Sequence, residues 1–545
     1  MGDRLDDLFA DPRHPGWGDP PLPAWVSALR ESQKVAVREV VEAFERGVRY
    51  VVLSAPTGSG KTVIGECARR ALSARARYVC VDRGLQDQVL RDFPYAAVLK
   101  GRANYPTLDA PDRHASPERL SCDDCTSTGR GEPCRWCGDV AACPYQVAKA
   151  AAVAADLAVL NTAYFLTEAN ASRRAGFAEN ELVIADECDR LEGALMAHVS
   201  VTVGRRRLEE WGLDSLAAGA PPADAAAWVE RAFESIDASI KALLLRDPRA
   251  GSLRVQRELR GLRRLRGDLR RVLAQLPDGG WVVTRARGAV EFKPIRVIED
   301  AGGALWEHAG RWLLMSATVL SAQDLLEDLG IGVDDPWRRT WAEVDLPSPF
   351  PVVNRPIHLL GVAPVVRANP AAPAALAAAL PAILERHRGD RVLVHTVSFK
   401  LQQELERRLP PSPRYVWYRD AAGRADALRK YLGASGAVLF APSLERGVDL
   451  PDDACRAVVV CKVPYPDLSD AQVAARAAGA GGWTWYRRQA LRSLVQMTGR
   501  GVRHEADACA TYVLDSQADK VIAQGRRELP RWWLEALIQG EGVLT

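Results

Sequence analysis

Two stretches of the chain have a hydrophobic pattern that alternates between short apolar runs and segments of helical periodicity. The apolar runs have the length of buried strands, and the segments between them predict helices. The runs are YVVLSA, ARYVCVD, ELVIADECDR and RWLLMSAT in the first stretch and RVLVHTVS, GAVLFAPS, AVVVCKVPYP and ATYVLDS in the second. Because strands that alternate with helices form parallel sheets, the pattern predicts an α/β protein with two doubly wound domains.

A third pattern lies between residues 205 and 285, where long segments rich in Ala, Leu and Arg have helical spacing. The apolar positions of LRVQRELRGLRRLRGDLRRV recur at helical intervals: Val255, Leu259, Leu262, Leu265, Leu269 and Val272. This block predicts a separate helical insertion. The arginines of residues 254–271 have two interpretations, a solvated helix face or a surface that contacts phosphates, and nothing local decides between them.

Composition restricts the class of protein but does not indicate its binding partner. A chain of 545 residues is too long for one core, and 48% hydrophobic with 26% charged residues is typical of globular proteins. The first residues are acidic and Pro-rich, and no segment has about eighteen uninterrupted apolar residues, which disfavours a secretory signal and a membrane span. We therefore expect a cytoplasmic protein without a membrane partner. The net charge of +3 favours no particular ligand.

The strand YVVLSA runs into a glycine-rich turn, SAPTGSGKT, and then into a helical segment. A phosphate-binding loop needs this context, since the backbone N–H groups of such a turn and of a helix N-terminus attract phosphates. Gly58 and Gly60 permit the tight turn. Lys61 can reach the terminal phosphates, and Thr62 can offer its hydroxyl to Mg²⁺. The segment predicts an ATP site.

Two adjacent carboxylates, Asp186 and Glu187, end the apolar strand ELVIADE. Parallel sheets place their ligands at the carboxyl ends of strands. Asp186 can hold Mg²⁺, and Glu187 can orient and deprotonate the water that attacks ATP. An acidic pair alone more often caps a helix, but the phosphate-binding loop in the same chain favours the catalytic interpretation.

The segment QMTGRGVRHEAD follows a predicted helix near the end of the chain. Gln496, Arg500 and Arg503 are spaced by four and three residues, so we expect them on one helical face. Two arginines presented to a phosphate site across a cleft could stabilise charge on the transferred phosphoryl group. Alone, the segment would be interpreted as a surface helix, but together with the phosphate-binding loop it indicates ATP hydrolysis between two domains.

Five of the eleven cysteines lie within SCDDCTSTGRGEPCRWCGDVAACPY. Thiols stay reduced in the cytoplasm, which favours a metal or iron–sulfur site over disulfides. Two C-x2-C pairs separated by eight residues suit a tetrahedral zinc site of Cys122, Cys125, Cys134 and Cys137. The other six cysteines lie among apolar residues, and we expect them to pack as small hydrophobic side chains: Cys67, Cys80, Cys188, Cys455, Cys461 and Cys509.

Taken in order, RESQ, SAPTGSGKT, GLQDQ, DECD, MSAT, SLERGVDLPD and QMTGRGVR resemble the motifs of superfamily 2 helicases. Further segments make the chain resemble the XPD/DinG branch in particular: KGRANYP, the cysteine segment ending in CPY, LNTAYFL, SPFP, LVHTVSFKL, VPYPDL and LPRWW. In that branch an iron–sulfur domain follows the phosphate-binding loop and a helical arch precedes the SAT motif. Both insertions have counterparts here in the same places.

The resemblance implies roles by position. The matched residues are Arg30 and Gln33 at the adenine, Gly58, Ser59, Gly60, Lys61 and Thr62 at the phosphates, Asp186 and Glu187 at metal and water, Gly447 and Asp449 in the interdomain cleft, and Gln496, Arg500 and Arg503 across it. Ser316 and Thr318 would link hydrolysis to strand separation. Asp189 stands where the branch usually has His, which leaves its contact with the rest of the ATP site open.

The metal segment also departs from the branch, because Thr107 stands at the position that often provides the first cluster ligand. The resemblance then implies a [4Fe–4S] cluster, which needs four cysteine ligands. Cys134, Cys137 and Cys143 match the later ligands, and Cys122 or Cys125 would supply the fourth. Zinc on the two C-x2-C pairs, with Cys143 outside the site, remains the alternative.

The resemblance implies a monomeric ATP-dependent DNA helicase that moves 5′ to 3′ on single-stranded DNA and unwinds forked duplexes. The alternative is a nucleic-acid-stimulated ATPase that remodels protein–DNA complexes, or acts on RNA–DNA hybrids, without processive unwinding. Trp136, Tyr105 and the arginines of 254–271 are candidate contacts with the strand. The expected domains are motor domain 1 (1–99, 147–204 and 286–335), the cysteine-rich insertion (100–146), the helical arch (205–285) and motor domain 2 (336–545).

Overall fold

A computed structural model describes most of the chain. The described residues are 2–13, 17, 19–81, 83–105, 143–171, 176–248, 253–286, 288–332, 341–420, 423–442, 444, 450–499 and 502–539. Several predicted positions lie outside them: Thr107, Cys122, Cys125, Cys134, Trp136, Cys137, Gly447, Asp449 and Arg500. The elements are numbered below in chain order.

The first motor domain contains a seven-stranded parallel sheet in the order β10-β1-β9-β5-β2-β4-β3. Its strands are β1 (Tyr50–Ser54), β2 (Ala76–Cys80), β3 (Ala97–Leu99), β4 (Leu157–Asn161), β5 (Asn180–Asp186), β9 (Ala309–Ser316) and β10 (Trp341–Asp345). Ser54 pairs with Ser316, and Asp186 pairs with Met315. The loops after β1, β5 and β9 therefore leave the same edge of the sheet side by side.

The second motor domain contains another seven-stranded parallel sheet, in the order β13-β14-β12-β15-β16-β11-β17. Its strands are β11 (Ile357–Ala363), β12 (Val392–His395), β13 (Tyr415–Trp417), β14 (Val438–Ala441), β15 (Ala457–Val460), β16 (Ala510–Asp515) and β17 (Leu537–Gln539). The central strands β12, β14 and β15 are buried along their whole length, as apolar strands covered by helices on both faces should be. The predicted pair of doubly wound α/β domains is confirmed.

Helices cover both sheets and build the insertion. They are α1 (Gly2–Ala10), α2 (Glu31–Glu45), α3 (Lys61–Ala71), α4 (Arg83–Asp92), α5 (Pro144–Ala154), α6 (Thr162–Ala171), α7 (Leu191–Val199), α8 (Arg205–Trp211), α9 (Pro222–Arg246), α10 (Leu253–Gln275), α11 (Ile298–Ala304), α12 (Ala322–Asp328), α13 (Ala372–Arg386), α14 (Phe399–Arg408), α15 (Arg424–Gly433), α16 (Ala471–Ala478), α17 (Gly482–Thr498), α18 (Gln517–Gly525) and α19 (Arg531–Leu534). Among the helices of the described ranges, none combines the length and apolar character needed to cross a bilayer.

The insertion after β5 packs α8, α9 and α10 on a small antiparallel sheet that the sequence did not predict. Its strands are β6 (Val201–Val203), β7 (Trp281–Ala286) and β8 (Ala289–Pro294), in the order β6-β8-β7. The predicted apolar stripe of α10 is buried at Leu259, Leu262, Leu269 and Val272, and the last three pack in the core of the insertion. Arg260, Arg263, Arg264 and Arg270 are exposed on the opposite side of α10. The domain boundaries and a phosphate-contacting role for this side stay predictions.

The two motor domains also meet away from the sheets, through α16 and α17. Arg476, which is 1% exposed, pairs with Glu192 of α7 and donates from Nη2 to Asp328 Oδ1 at 2.7 Å. Arg488 lies 2.7 Å from Asp324. Buried charges of this kind are costly to leave unpaired, so these contacts constrain how the domains can move apart.

Candidate active site

The phosphate-binding loop connects β1 to α3 at the carboxyl edge of the first sheet. The helix begins at Lys61, and Gly58 and Gly60 have φ values of +77° and +82°, where a side chain is disfavoured. Lys61 Nζ donates along the loop to the carbonyl oxygens of Ala55 at 3.2 Å and Pro56 at 3.4 Å. The turn, helix N-terminus and lysine are thus arranged as a phosphate site requires.

Arg30 and Gln33 hold the loop from the side of α2. Arg30 Nη2 donates to the carbonyl of Gly58 at 3.0 Å, and Gln33 Nε2 donates to the carbonyl of Ser59 at 3.0 Å. A Cβ at Gly60 would lie 2.3 Å from Gln33 Nε2, so a side chain there would displace Gln33. Both residues were predicted to bind adenine. In the structure their side chains donate hydrogen bonds to the backbone of the loop that would surround the nucleotide.

The two predicted magnesium ligands, Thr62 and Asp186, converge on one hydroxyl group. The OH of Tyr78 on β2 donates to Asp186 Oδ2 at 2.8 Å and lies 3.5 Å from Thr62 Oγ1. Both oxygens therefore lie within 3.5 Å of the same hydroxyl, and a carboxylate and a hydroxyl are the oxygen ligands that Mg²⁺ prefers. The sequence did not indicate Tyr78, because its contact with Asp186 depends on the pairing of β2 with β5.

Glu187 occupies a strained turn directly after β5. Its backbone has φ +52° and ψ +49°, a left-handed conformation that is uncommon for a residue with a side chain. Its N–H donates to Asp186 Oδ1 at 3.0 Å, and its Oε2 lies 3.5 Å from Arg190 Nη1. Such strain is concentrated at active sites, which agrees with the predicted role of Glu187 at the attacking water.

Asp189 makes the contact that the sequence left open. Ser316 Oγ donates to Asp189 Oδ1 at 2.7 Å and accepts the N–H of Thr318 at 3.1 Å. All three side chains are buried. The DECD and SAT motifs are therefore directly hydrogen-bonded although Asp replaces His.

Burial sets the electrostatics of the pocket. It lowers the pKa of Lys61, an effect that the charges of Asp186 and Glu187 oppose. It raises the pKa of Asp186, against the positive charge of Lys61. Burial also raises the pKa of Tyr78, so its hydroxyl keeps the proton that it donates to Asp186. Charges act strongly on one another in such a poorly solvated site.

Phe350 and Arg503 approach the phosphate-binding loop from the other side of the cleft. A Cβ placed on Gly58 would lie 2.6 Å from the ring of Phe350 and 3.1 Å from the carbonyl oxygen of Arg503. Burial lowers the pKa of Arg30, and the nearby charge of Glu505 opposes this effect. The segment predicted to act across the cleft therefore borders the loop.

The prediction that Gln496 and Arg503 share a helical face was wrong. α17 ends at Thr498, and Arg503 lies in the segment before β16. Gly499 is the C-cap of α17, and glycine is common where helices end. Beyond it, fully buried Asp507 accepts the N–H of Arg503 at 3.0 Å and also binds Arg456 Nη1 at 2.8 Å.

Arg492 is a further residue that the sequence analysis missed. It lies on α17 one turn before Gln496 and is 4% exposed. Burial lowers the pKa of Arg492, and the nearby charges of Asp189 and Asp328 oppose this effect. A cation of the second motor domain is thus buried near the DECD turn of the first.

Comparison with known proteins gives two family models and several partial relatives. Residues 27–203 match the type III restriction enzyme res subunit family, and residues 382–536 match the helicase C-terminal domain family. Regulator of telomere elongation helicase 1 of Homo sapiens is 28% identical over 165 residues, which cover 26% of this chain and 13% of that protein. ATP-dependent DNA helicase chl-1 of Caenorhabditis elegans is 31% identical over 108 residues, 18% of this chain and 13% of that protein. The matches thus span about an eighth of those relatives.

Solved structures match over nearly the whole chain. The structure described as XPD_Helicase has a TM-score of 0.59 at 15% identity, covering 94% of this chain and 100% of that one. The S. tokodaii Xpd4 structure has a TM-score of 0.56 at 15% identity, again covering 94% and 100%. The family models, the relatives and the fold agree with the motif order. The chain is thus similar to superfamily 2 helicases in the order of its motifs and to the XPD structures in its fold.

Of the five clustered cysteines of this XPD/DinG-like chain, Cys143 is within the described residues. It is the N-cap of α5, 4% exposed, and packs in the apolar core that includes Tyr145. Tyr105, which was predicted to contact the nucleic-acid strand, packs edge to face on Tyr145 with ring centroids 5.7 Å apart. The metal and its ligand set stay predictions.

The other six cysteines are buried among apolar side chains, as predicted: Cys67, Cys80, Cys188, Cys455, Cys461 and Cys509.

Proposed function

We propose that this chain is an ATP-dependent DNA helicase that translocates on single-stranded DNA and unwinds duplex DNA. The observation that carries the proposal is the meeting of the two motor domains at the phosphate-binding loop, where the Arg503 carbonyl borders Gly58. ATP bound by Lys61 would lie between two doubly wound domains, so its hydrolysis could change their separation. A simple nucleotide-binding module would not need the second sheet.

The residues of the cleft have separate tasks in the proposed reaction. ATP would place its phosphates at the N-terminus of α3 beside Lys61. Thr62 and Asp186 would hold the Mg²⁺ ion, which neutralises phosphate charge when bound. Glu187 would orient the attacking water and take its proton. Arg503, with Arg500, would approach the transferred phosphoryl group as the domains close.

We also propose that the cysteine segment holds a metal group that helps to separate the strands. A [4Fe–4S] cluster would use four of Cys122, Cys125, Cys134, Cys137 and Cys143, and zinc would use the first four. Cys143 is buried at the start of α5, so in the first alternative it would connect a cluster directly to the motor domain. We expect a cytoplasmic monomer that acts on forked DNA, with 5′ to 3′ polarity.

The proposal is tested by ATP hydrolysis with and without single-stranded DNA and by strand displacement on forks with a 5′ or a 3′ tail. We expect stimulation by DNA and unwinding of the 5′-tailed fork. Lys61→Ala should abolish ATP turnover while DNA binding and the fold persist, because the loop backbone remains. Stimulated hydrolysis without displacement would support a translocase that remodels protein–DNA complexes. Stronger stimulation by RNA–DNA hybrids would change the assigned substrate.

A further inference from the structure

The second sheet has an open edge at β13, outside the ATP site. β13 is the terminal strand of the sheet, and within the described residues it pairs with β14 alone. On the side of β14, the Arg414 carbonyl accepts a hydrogen bond at 2.8 Å and the Tyr418 N–H donates one at 3.0 Å. Backbone groups of successive strand residues point to opposite sides, so those of Tyr415 and Trp417 face the open edge. An edge strand of this kind is a template for a further strand.

A groove with a volume of about 770 Å³ lies between β13 and α15. α15 has ten residues and is therefore about 15 Å long, which is room for roughly four or five residues of an extended chain. The helix and its ends contribute mainly small residues to the groove: Gly423, Ala427, Gly433 and Ala434. The groove thus has the size of a ligand site and the length of a short peptide strand.

The strand that borders the groove is fixed from the side of the sheet by aromatic rings. Trp417 stacks on Phe440 with ring centroids 4.0 Å apart and planes at 19°. Tyr415 meets Phe440 edge to face at 5.2 Å. Because β13 is already ordered, a ligand that pairs with it would cost little conformational entropy of the protein.

The walls of the groove have an excess of positive charge. The charged lining residues are Arg414, Arg419 and Lys430 against Asp420 and Asp426. The side chains of Arg419 and Lys430 are 68% and 67% exposed. Lys430 lies 2.8 Å from Asp426, and Arg419 pairs with Glu406. Exposed ion pairs contribute little, so both cations can exchange these partners for an acidic side chain of a ligand.

We propose that the groove between β13 and α15 binds an extended acidic peptide segment of a partner protein, which adds to the second sheet as a further strand. Backbone hydrogen bonds to Tyr415 and Trp417 would supply affinity. Alternate side chains of the peptide would face α15, where Lys430 would select acidic ones. The inference goes beyond the proposed function, because it assigns a recruitment site that takes no part in ATP hydrolysis or strand separation.

The test measures binding of a short fluorescein-labelled peptide, in which valine alternates with glutamate, to the full-length protein by anisotropy. We expect saturable binding in the micromolar range. The same peptide with every backbone nitrogen methylated keeps its charge but cannot donate to the edge, and it should bind at least about tenfold more weakly. Equal affinity for the two peptides, or no saturable binding of the first up to about 1 mM, would overturn the inference.

Gly433→Leu fills the groove without disturbing the helix. A Cβ at Gly433 would meet nothing within 4 Å, so the leucine side chain has space and would occupy the site of the peptide. We expect a loss of peptide affinity of about tenfold or more. Gly302→Leu is the matched control, because Gly302 is equally open on α11 of the first motor domain and should leave the affinity unchanged. Unchanged peptide binding by Gly433→Leu would overturn the inference.

Charge exchange tests the selection of acidic side chains. Lys430→Glu should weaken binding of the glutamate peptide about three- to tenfold and strengthen binding of a peptide with lysine in place of glutamate. Arg429→Glu is the matched control, because Arg429 lies next to Lys430 on α15, 3.6 Å from the same Asp426, but does not line the groove. It should change either affinity less than about twofold. Equal effects of the two variants would overturn the groove as the site of acidic recognition.

Other occupants of the groove give different outcomes. Oligothymidylate that displaces the peptide, and whose affinity falls in Gly433→Leu, would identify a nucleic-acid site and overturn the peptide assignment. A dimer in sedimentation that Gly433→Leu converts to a monomer would identify a second copy of the chain as the occupant and overturn it as well.

The ATPase assay separates the inference from the proposed function. Gly433→Leu should retain wild-type ATP hydrolysis with single-stranded DNA, because the groove lies outside the cleft. If the wild-type protein binds the peptide but does not hydrolyse ATP in response to DNA, the proposed function fails and the inference stands. If it hydrolyses ATP but does not bind the peptide, the inference alone fails.

Discussion

At the scale of single residues, the buried carboxylates of the ATP site each depend on a hydroxyl from a neighbouring strand. Tyr78 donates to Asp186, and Ser316 donates to Asp189. Hydrogen bonds to a buried charge are worth more than neutral ones, and partners behind a metal ligand fix its orientation. Both hydroxyls should therefore affect catalysis although neither is expected to touch ATP.

Tyr78→Phe removes only the hydroxyl that donates to Asp186. We expect Mg²⁺ activation of ATP hydrolysis to need roughly ten- to hundredfold more Mg²⁺, because the carboxylate loses its orienting partner. A Mg²⁺ titration of ATPase activity measures the shift. Tyr415→Phe, on the edge of the second sheet, is the control and should titrate as wild type. An unchanged titration of Tyr78→Phe would mean that Asp186 needs no such support.

Asp189 and Ser316 should behave as one unit in a double-mutant cycle. Asp189→Ala and Ser316→Ala should each lower kcat/KM for ATP, and the double variant should be no worse than the poorer single one. The coupling energy should be on the order of 2 kcal/mol, the range of a buried hydrogen bond to a charged group. Additive losses would show that the DECD and SAT motifs act independently.

At the scale of elements, the position of α3 is maintained by a buried charge cluster below the phosphate-binding loop. Glu66, Arg69 and Arg70 are all at most 3% exposed. Glu66 accepts from Arg69 Nε at 2.8 Å and from Arg70 Nε at 2.7 Å. Arg69 also reaches Asp19, and Arg70 reaches the OH of Tyr95. The cluster thus connects the helix that carries Lys61 to its surroundings.

Glu66→Gln should destabilise the first motor domain by about 3 kcal/mol, because it leaves two buried guanidinium groups without their shared carboxylate. Urea unfolding measures the change. Glu42→Gln is the matched control on α2, where the exposed pair Glu42–Arg46 is 3.7 Å apart and should contribute less than about 0.5 kcal/mol. Similar losses in both variants would contradict a special role for burial.

At the scale of the whole molecule, described residues of the two motor domains meet at the ATP cleft. They also meet through ion pairs that α16 and α17 make with α7 and α12. α7 follows the DECD turn, and α12 follows the SAT segment. A movement at the ATP cleft can therefore be transmitted through these ion pairs to α7 and α12. The predicted metal segment lies apart from both contact regions in the sequence.

Cys137→Ser should reduce strand displacement more than ATP hydrolysis, because the motor cleft is built from other segments. Both activities are measured on anaerobically purified protein, together with iron, sulfide and zinc content and the visible spectrum. Iron and sulfide near four per chain in the wild type would support the [4Fe–4S] cluster, and one zinc would support the alternative. Equal loss of both activities would mean that the metal segment is needed for folding of the motor.

Much of the fold could be predicted because its signals are local. Apolar runs predicted the strands, glycines predicted the turn at Gly58 and Gly60, and helical spacing predicted α10. The small sheet β6-β8-β7 could not be predicted, since its strands come from the two ends of the insertion and are short. Arg503 was misplaced although a local signal was present. Helical spacing continued through the sequence, but α17 ends before Gly499, its C-cap.

The sequence by itself determined the class of fold, the phosphate-binding loop, the acidic pair after β5 and the burial of the six scattered cysteines, because each depends on neighbouring residues or on simple periodicity. Tertiary structure decided which side chains meet. Tyr78 with Asp186, Ser316 with Asp189, and Arg476 with Glu192 join residues far apart in the chain. Their pairing depends on strand order and domain packing, and no local pattern of residues encodes these.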